Sequence, residues 1–155
     1  MAEGEFALVQ EYLEIALNKT AAWVGEHDLF AMLADTAVQR RDEAGLQKYA
    51  PLAEEFALRC DHKLYLAIAH RAWGVSHRLA GQYADARTRL QQALELFQQL
   101  ETRWQIGRTL FELGELSLTE ESMDAREQFS LALSAFETMS ALPDAARTRE
   151  KIATL

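Results

Sequence analysis

Three times along the chain, five small or apolar residues recur at steps of four, three, four and three. They are Leu46-Ala50-Ala53-Ala57-Cys60, Ala86-Leu90-Ala93-Phe97-Leu100 and Ala125-Phe129-Ala132-Phe136-Met139. Such steps trace one stripe of an α-helix. The stripes are offset by 40 and then 39 residues, and Ala34, Gly74 and Gly114 repeat at 40 in the segments between them. One helix pair cannot bury its apolar faces alone, so a chain repeating pairs at this period is expected to stack them into a solenoid. The expected fold is all-α, an α-α superhelix of about eight antiparallel helices. It forms one domain over residues 1–155, with about three full pairs and a half-repeat at each end.

The same periodicity places the helices. The first covers about Glu3 to Asn18, with Phe6, Val9, Leu13 and Leu17 on one stripe and Leu8, Tyr12 and Ile15 on a second; two apolar stripes predict cover on more than one side. The second runs from about Ala21 to Arg40 and the third from Ala44 to Cys60, where Pro51 predicts a bend near Ala50 or a start around Pro51 itself. Asp61 is the expected N-cap of a helix from His62 to Ala80, and Gly81 its stop. Helices at Tyr83–Leu100, Arg103–Leu118 (capped by Thr102) and Met123–Ser140 follow. Pro143 stands at the favoured first position of the last.

Composition removes several classes of function. Sixteen basic against 24 acidic residues give a net charge of −8, so neither nucleic acid nor an anionic membrane is an expected partner. No apolar run approaches the ~18 residues of a membrane span. Met1-Ala-Glu-Gly-Glu lacks the basic, then apolar, start of a signal peptide, and the lone Cys60 fits a reducing, cytoplasmic setting.

Gly74…Gly81-Gln82-Tyr83-Ala84-Asp85-Ala86…Leu90…Ala93 resembles the tetratricopeptide repeat (TPR) signature: a small residue in helix A, a Gly-x-Tyr turn, and Ala…Leu/Phe…Ala in helix B. Gly114…Asp124-Ala125-Arg126…Phe129…Ala132 repeats it with a longer turn, and Ala34…Leu46…Ala50-Pro51-Leu52-Ala53 more weakly. Arg147-Thr148 echoes Arg108-Thr109 at 39 residues, which makes the last helix a helix A without its partner. The period exceeds the usual ~34 of this repeat. It is similar to the long-helix arrays of large bacterial signalling ATPases and transcription regulators.

The resemblance implies a non-enzymatic protein–protein interaction module that holds a peptide or protein segment in a concave groove. In such arrays the groove wall is formed by helix A residues two, five, nine and twelve, with the small residue counted as eight. Carried onto this chain, these are Ile68, Arg71, Val75 and Arg78; Arg108, Phe111, Glu115 and Leu118; and Asp28, Ala31, Asp35 and Val38. Arg71, Arg78 and Arg108 suit carboxylate or phosphate on an acidic partner, since guanidinium forks bind both. The competing reading pairs them with Asp and Glu of neighbouring helices. The chaperone-tail clamp of some such arrays needs an Asn on the wall, and the one Asn here is Asn18, outside it.

Two further functions remain in play: a self-associating scaffold, joined through the doubly apolar first helix into a homodimer, and an effector-sensing region of a signalling protein. No phosphate-binding loop, metalloprotease motif or nucleophile elbow is present, so neither catalytic residues nor a cofactor are expected. His70 and His77 are seven apart, whereas helical metal ligands sit three or four apart; Cys60, Trp23, Trp73 and Trp104 read as packing residues.

Overall fold

The computed structural model describes residues 3–19 and 26–155, with side chains for 5–16 and 28–155. Among the described residues eight helices follow one another: α1 (Glu3–Lys19), α2 (Glu26–Arg40), α3 (Glu43–Arg59), α4 (Lys63–Leu79), α5 (Tyr83–Gln99), α6 (Arg103–Thr119), α7 (Ala125–Thr138) and α8 (Leu142–Ala153). The described residues contain no strand. Each helix packs on its neighbours in sequence, with α2 also touching α4, so the fold is an all-α helical-repeat superhelix. Trp23 and the first residues expected in the second helix lie outside the described residues.

The repeating stripes bury the crossings. Leu46, Ala50, Ala53 and Ala57, then Ala86, Leu90, Ala93 and Phe97, then Ala125, Phe129, Ala132 and Phe136 are all buried. The fifth residue of each stripe, Cys60, Leu100 or Met139, is instead the C-cap of its helix and exposed. Cys60 is therefore no packing residue: the helix has ended and the stripe has run past its partner. The core is a series of adjoining clusters, from Leu33, Val38 and Tyr49 between α2 and α3 to Phe111, Phe129 and Phe136 between α6 and α7.

The connections show a period that the side chains hide. Left-handed backbone recurs at Arg41, Asp61, Gly81, Glu101, Glu121 and Ser140, at steps of 20, 20, 20, 20 and 19 residues. At each, that residue's own amide and the next one close onto the ending helix, as where Asp61 N donates to the Leu58 carbonyl and His62 N to Ala57 at 2.8 Å. This is the Schellman closure. Asp61 thus closes α3, and the N-cap of α4 is His62, whose Nδ1 accepts from Tyr65 N at 3.4 Å. Thr102 does occupy the N-cap of α6, but its hydroxyl donates back to the Phe97 carbonyl at 3.2 Å rather than capping an amide.

Five of these six positions carry a side chain where glycine is favoured. Glu101 is exposed, so Glu101→Gly should raise stability by about 1 kcal/mol and the melting temperature by about 2–4 °C, the relief of strain exceeding the added freedom of the unfolded chain. A thermal melt of the variant beside the parent checks this.

Pro51 neither starts nor ends a helix. α3 begins at Glu43, eight residues earlier, with Asp42 as N-cap accepting from Gly45 N at 3.0 Å. Pro51 is exposed, as is Gln47, whose carbonyl loses its helical partner to the ring and faces solvent. On α1, Leu13 joins the first core cluster while Leu8, Val9, Tyr12 and Ile15 are exposed, so the second apolar stripe is uncovered in this chain.

Candidate functional site

The A helices α2, α4, α6 and α8 share one face of the superhelix, and their polar side chains form a network across it. Asp35 of α2 sits between two arginines, accepting from Arg71 of α4 at 2.8 Å and from Arg108 of α6 at 2.7 Å. Arg71 is fully buried and Arg108 is 5% exposed. Gln39, one turn along α2, accepts from the Arg108 guanidinium once its amide is oriented toward it. Deeper along α6, Glu112 takes both 2.8 Å bonds from Arg41 and lies 3.5 Å from Arg78. Lys151 of α8 pairs with Glu115 at 2.8 Å.

Burial opposes charge at Asp35, Arg71 and Glu112, and the neighbouring charges decide how far each gives way. At Asp35 the desolvation is outweighed by Arg108 and Arg71, and the pKa falls to about 2. Burial and then the like charge of Arg108 bring Arg71 down to about 10, which leaves it protonated at neutral pH. Glu112 is likewise buried, yet Arg41 holds its carboxyl below the usual glutamate value.

Two cavities lie along this face and meet at Asp35. One, of about 450 Å³, is lined by Asp28, Ala31, Met32, Tyr65, Ile68 and Gln105. The other, of about 440 Å³, is lined by Gln39 and Arg108, by Phe6 and Trp104, and by Pro143, Asp144 and Arg147 of α8. Trp104 is 39% exposed, donating its indole N–H to Asp144 at 2.9 Å, and its ring lies 4.6 Å from the Arg108 guanidinium. Trp104 is therefore groove wall rather than core.

The expected wall residues divide accordingly. Asp28, Ala31, Asp35, Ile68 and Arg108 do line the cavities. Val75 and Val38 are buried in the core between α2, α3 and α4, and Phe111 packs edge-on against Phe129 at 5.2 Å. Leu118 lies in a separate cavity beside Met123 and Leu155. The guanidinium groups of Arg71, Arg78 and Arg108 are not open to solvent. Arg71 and Arg108 are turned onto Asp35, and Arg78 toward Glu112, so they pair across the A helices instead of facing solvent.

Sequence reasoning missed Arg147, Trp104, Gln39, Asp144 and Phe6 as wall residues. A signal existed for three of them: Arg147 repeats Arg108 at 39 residues, and Asp144 stands 40 after Trp104, the residue it bonds. Phe6 reaches the face from α1, outside the repeat, where spacing is silent. Among the described residues no group of three or more His, Cys, Asp or Glu is placed to hold a metal ion, and no helix is long and apolar enough to cross a membrane. His70 contacts Arg89 at 2.8 Å and Glu54, while His77 stacks on Trp73.

Compared with protein-family models, curated proteins and solved structures, the chain matches none.

Proposed function

We propose that this chain is a TPR-like, non-enzymatic interaction module that holds a peptide or protein segment along the face formed by α2, α4 and α6. The observation carrying this reading is the pair of cavities joined at Asp35, which makes an elongated trough rather than an enclosed pocket. A trough lined alternately by apolar side chains (Met32, Ile68, Trp104) and fixed polar ones suits an extended segment that places successive residues in successive depressions. Burying the Asp35 and Glu112 networks leaves the wall rigid, which lowers the ordering cost of binding.

Met32 tests this directly, being half exposed inside the first cavity. Peptides selected from a display library on the purified chain should lose binding to Met32→Arg, which fills the trough. They should keep it with Gln91→Arg, on an exposed position of α5. Equal binding to both variants would remove the trough as the binding surface.

One observation favours a second reading, self-association. Leu8, Val9, Tyr12 and Ile15 form a continuous exposed stripe on α1, with the spacing of a helix that packs on a partner. Sedimentation velocity over a hundredfold concentration range, with Tyr12→Glu as the comparison, decides it: a concentration-dependent dimer lost in the variant supports the stripe as the contact.

A further inference from the structure

Arg147 is set apart from every other cation on the shared face. Arg71 and Arg108 are bound to Asp35, Arg41 and Arg78 to Glu112, and Lys151 to Glu115. Arg147 makes no hydrogen bond or ion pair among the described residues; its guanidinium lies 4.4 Å from the Phe111 ring. Stacking of this kind fixes the plane of the fork and leaves its N–H edge available. The neighbouring carboxylates are already engaged: Asp144 by the Trp104 indole, Asp35 by two arginines, and Glu112 and Glu115 by their own partners.

Across the network and the trough wall, six cations face five carboxylates, Asp28 included, an excess of one positive charge on a chain of net charge −8. The residue as a whole is exposed, yet burial of the guanidinium and the nearby Arg41 lower its pKa, against the attraction of Glu112, Glu115 and Asp144. Beside it is the 440 Å³ cavity with Phe6, Trp104 and Pro143 as apolar walls, within the ~300–1,000 Å³ range of ligand sites.

We propose that the α8 end of the trough is a binding site for a carboxylate carried beside an aromatic group, with Arg147 taking the carboxylate and the Phe6–Trp104–Pro143 walls taking the ring. It rests on the reading of this face as a binding surface and names the chemistry recognised there. A monoanion fits better than a phosphate dianion, because Asp35 and Asp144 line the same cavity and repel a second negative charge. The carboxylate could come from an acidic residue of a bound segment or from a free aromatic acid; the shared chemistry is the same.

Isotope-labelled protein gives a direct readout, the indole N–H resonance of Trp104 and the guanidinium N–H of Arg147. The probes are phenylacetate, its neutral counterpart 2-phenylacetamide, and the blocked peptides acetyl-Gly-Glu-Phe-Gly-amide and acetyl-Gly-Gln-Phe-Gly-amide. Phenylacetate and the Glu peptide should shift both resonances, with affinities on the order of 1 mM or tighter. The neutral counterparts should bind at least about tenfold more weakly, as should both acids with Arg147→Gln. Arg126→Gln, at an exposed arginine of α7, should change nothing. A tighter Glu peptide assigns the site to a segment, and equal or tighter phenylacetate to a free acid.

The site is overturned if neither acid shifts Trp104, if the neutral probes match the acids, or if Arg147→Gln keeps full affinity. Loss of display-selected peptides in Met32→Arg alongside an indifferent Arg147→Gln would sink the site and leave the trough reading standing. Arg147-dependent acid binding with no effect of Met32→Arg would do the reverse for peptides.

Discussion

Asp35→Ala is expected to destabilise the fold by about 3 kcal/mol. Removing the carboxylate strands Arg71, which has no contact with solvent, and Arg108, which has almost none. Two buried guanidinium groups would then face each other with the one carboxylate that bonds both of them gone. A quarter of the Asp35 side chain is exposed, and water reaching that side holds the cost to the lower end of the range for broken buried pairs. Asp35→Asn should cost less, because the amide oxygen still accepts one bond while the neutralising charge is lost. Urea unfolding of the two variants measures both; an Asp35→Ala midpoint equal to that of the parent would show that the arginines find other partners.

The same group sets an acid limit on stability. Its folded-state pKa of about 2 lies below the ordinary aspartate value of 3.8. A depressed carboxylate stabilises the fold above its unfolded pKa and loses that contribution as the pH falls through the folded one. The window is therefore about pH 4 down to pH 2, and the amount is on the order of 2 kcal/mol. Glu112 shifts in the same direction and adds to the loss. In Asp35→Asn the slope of stability against pH over this window should flatten, a result that separates Asp35 from the many exposed carboxylates of an acidic chain.

Helix positions were legible from the sequence because packing period and secondary structure coincide there: Ala93 and Ala132 repeat at a helical stripe and at the solenoid period together. Turn geometry was legible only at Gly81. Arg41, Asp61, Glu101, Glu121 and Ser140 adopt the same left-handed conformation with unrelated side chains, so composition gave no sign of the 20-residue step. For the site, counting along helix A found Asp35, Arg108 and Ile68 but could not tell a wall residue from a core one. Val75 turns inward because α4 packs between α2 and α3 on that side, a matter of neighbours rather than of register. Charge was the least legible. Arg71 and Arg147 occupy similar polar helix surfaces in the sequence, yet one is sealed beneath Asp35 and the other stands unpaired over Phe111.

Gly74 of α4 packs directly against Leu90 and Ala86 of α5, and Gly74→Ala should destabilise the fold by about 1–3 kcal/mol. In an open helix the same change stabilises by about 1 kcal/mol, because alanine restricts the unfolded chain and favours the helix. Here a Cβ would lie 2.5 Å from Leu90 Cγ, 2.7 Å from its Cδ2 and 3.2 Å from the Ala86 carbonyl oxygen. Leu90 is fully buried, so its side chain has nowhere to move without displacing α5 from α4. Leu90→Ala alone should cost about 2–5 kcal/mol through lost burial and the space left behind. Adding Gly74→Ala in that background should cost little or even stabilise, since the new methyl enters space that Leu90 has vacated and the helix propensity gain returns. The expected coupling is about 1–3 kcal/mol in favour of the double variant. Additive losses would mean that the limit at Gly74 is the Ala86 backbone rather than the Leu90 side chain, and that helix separation in this pair is set by main chain against main chain.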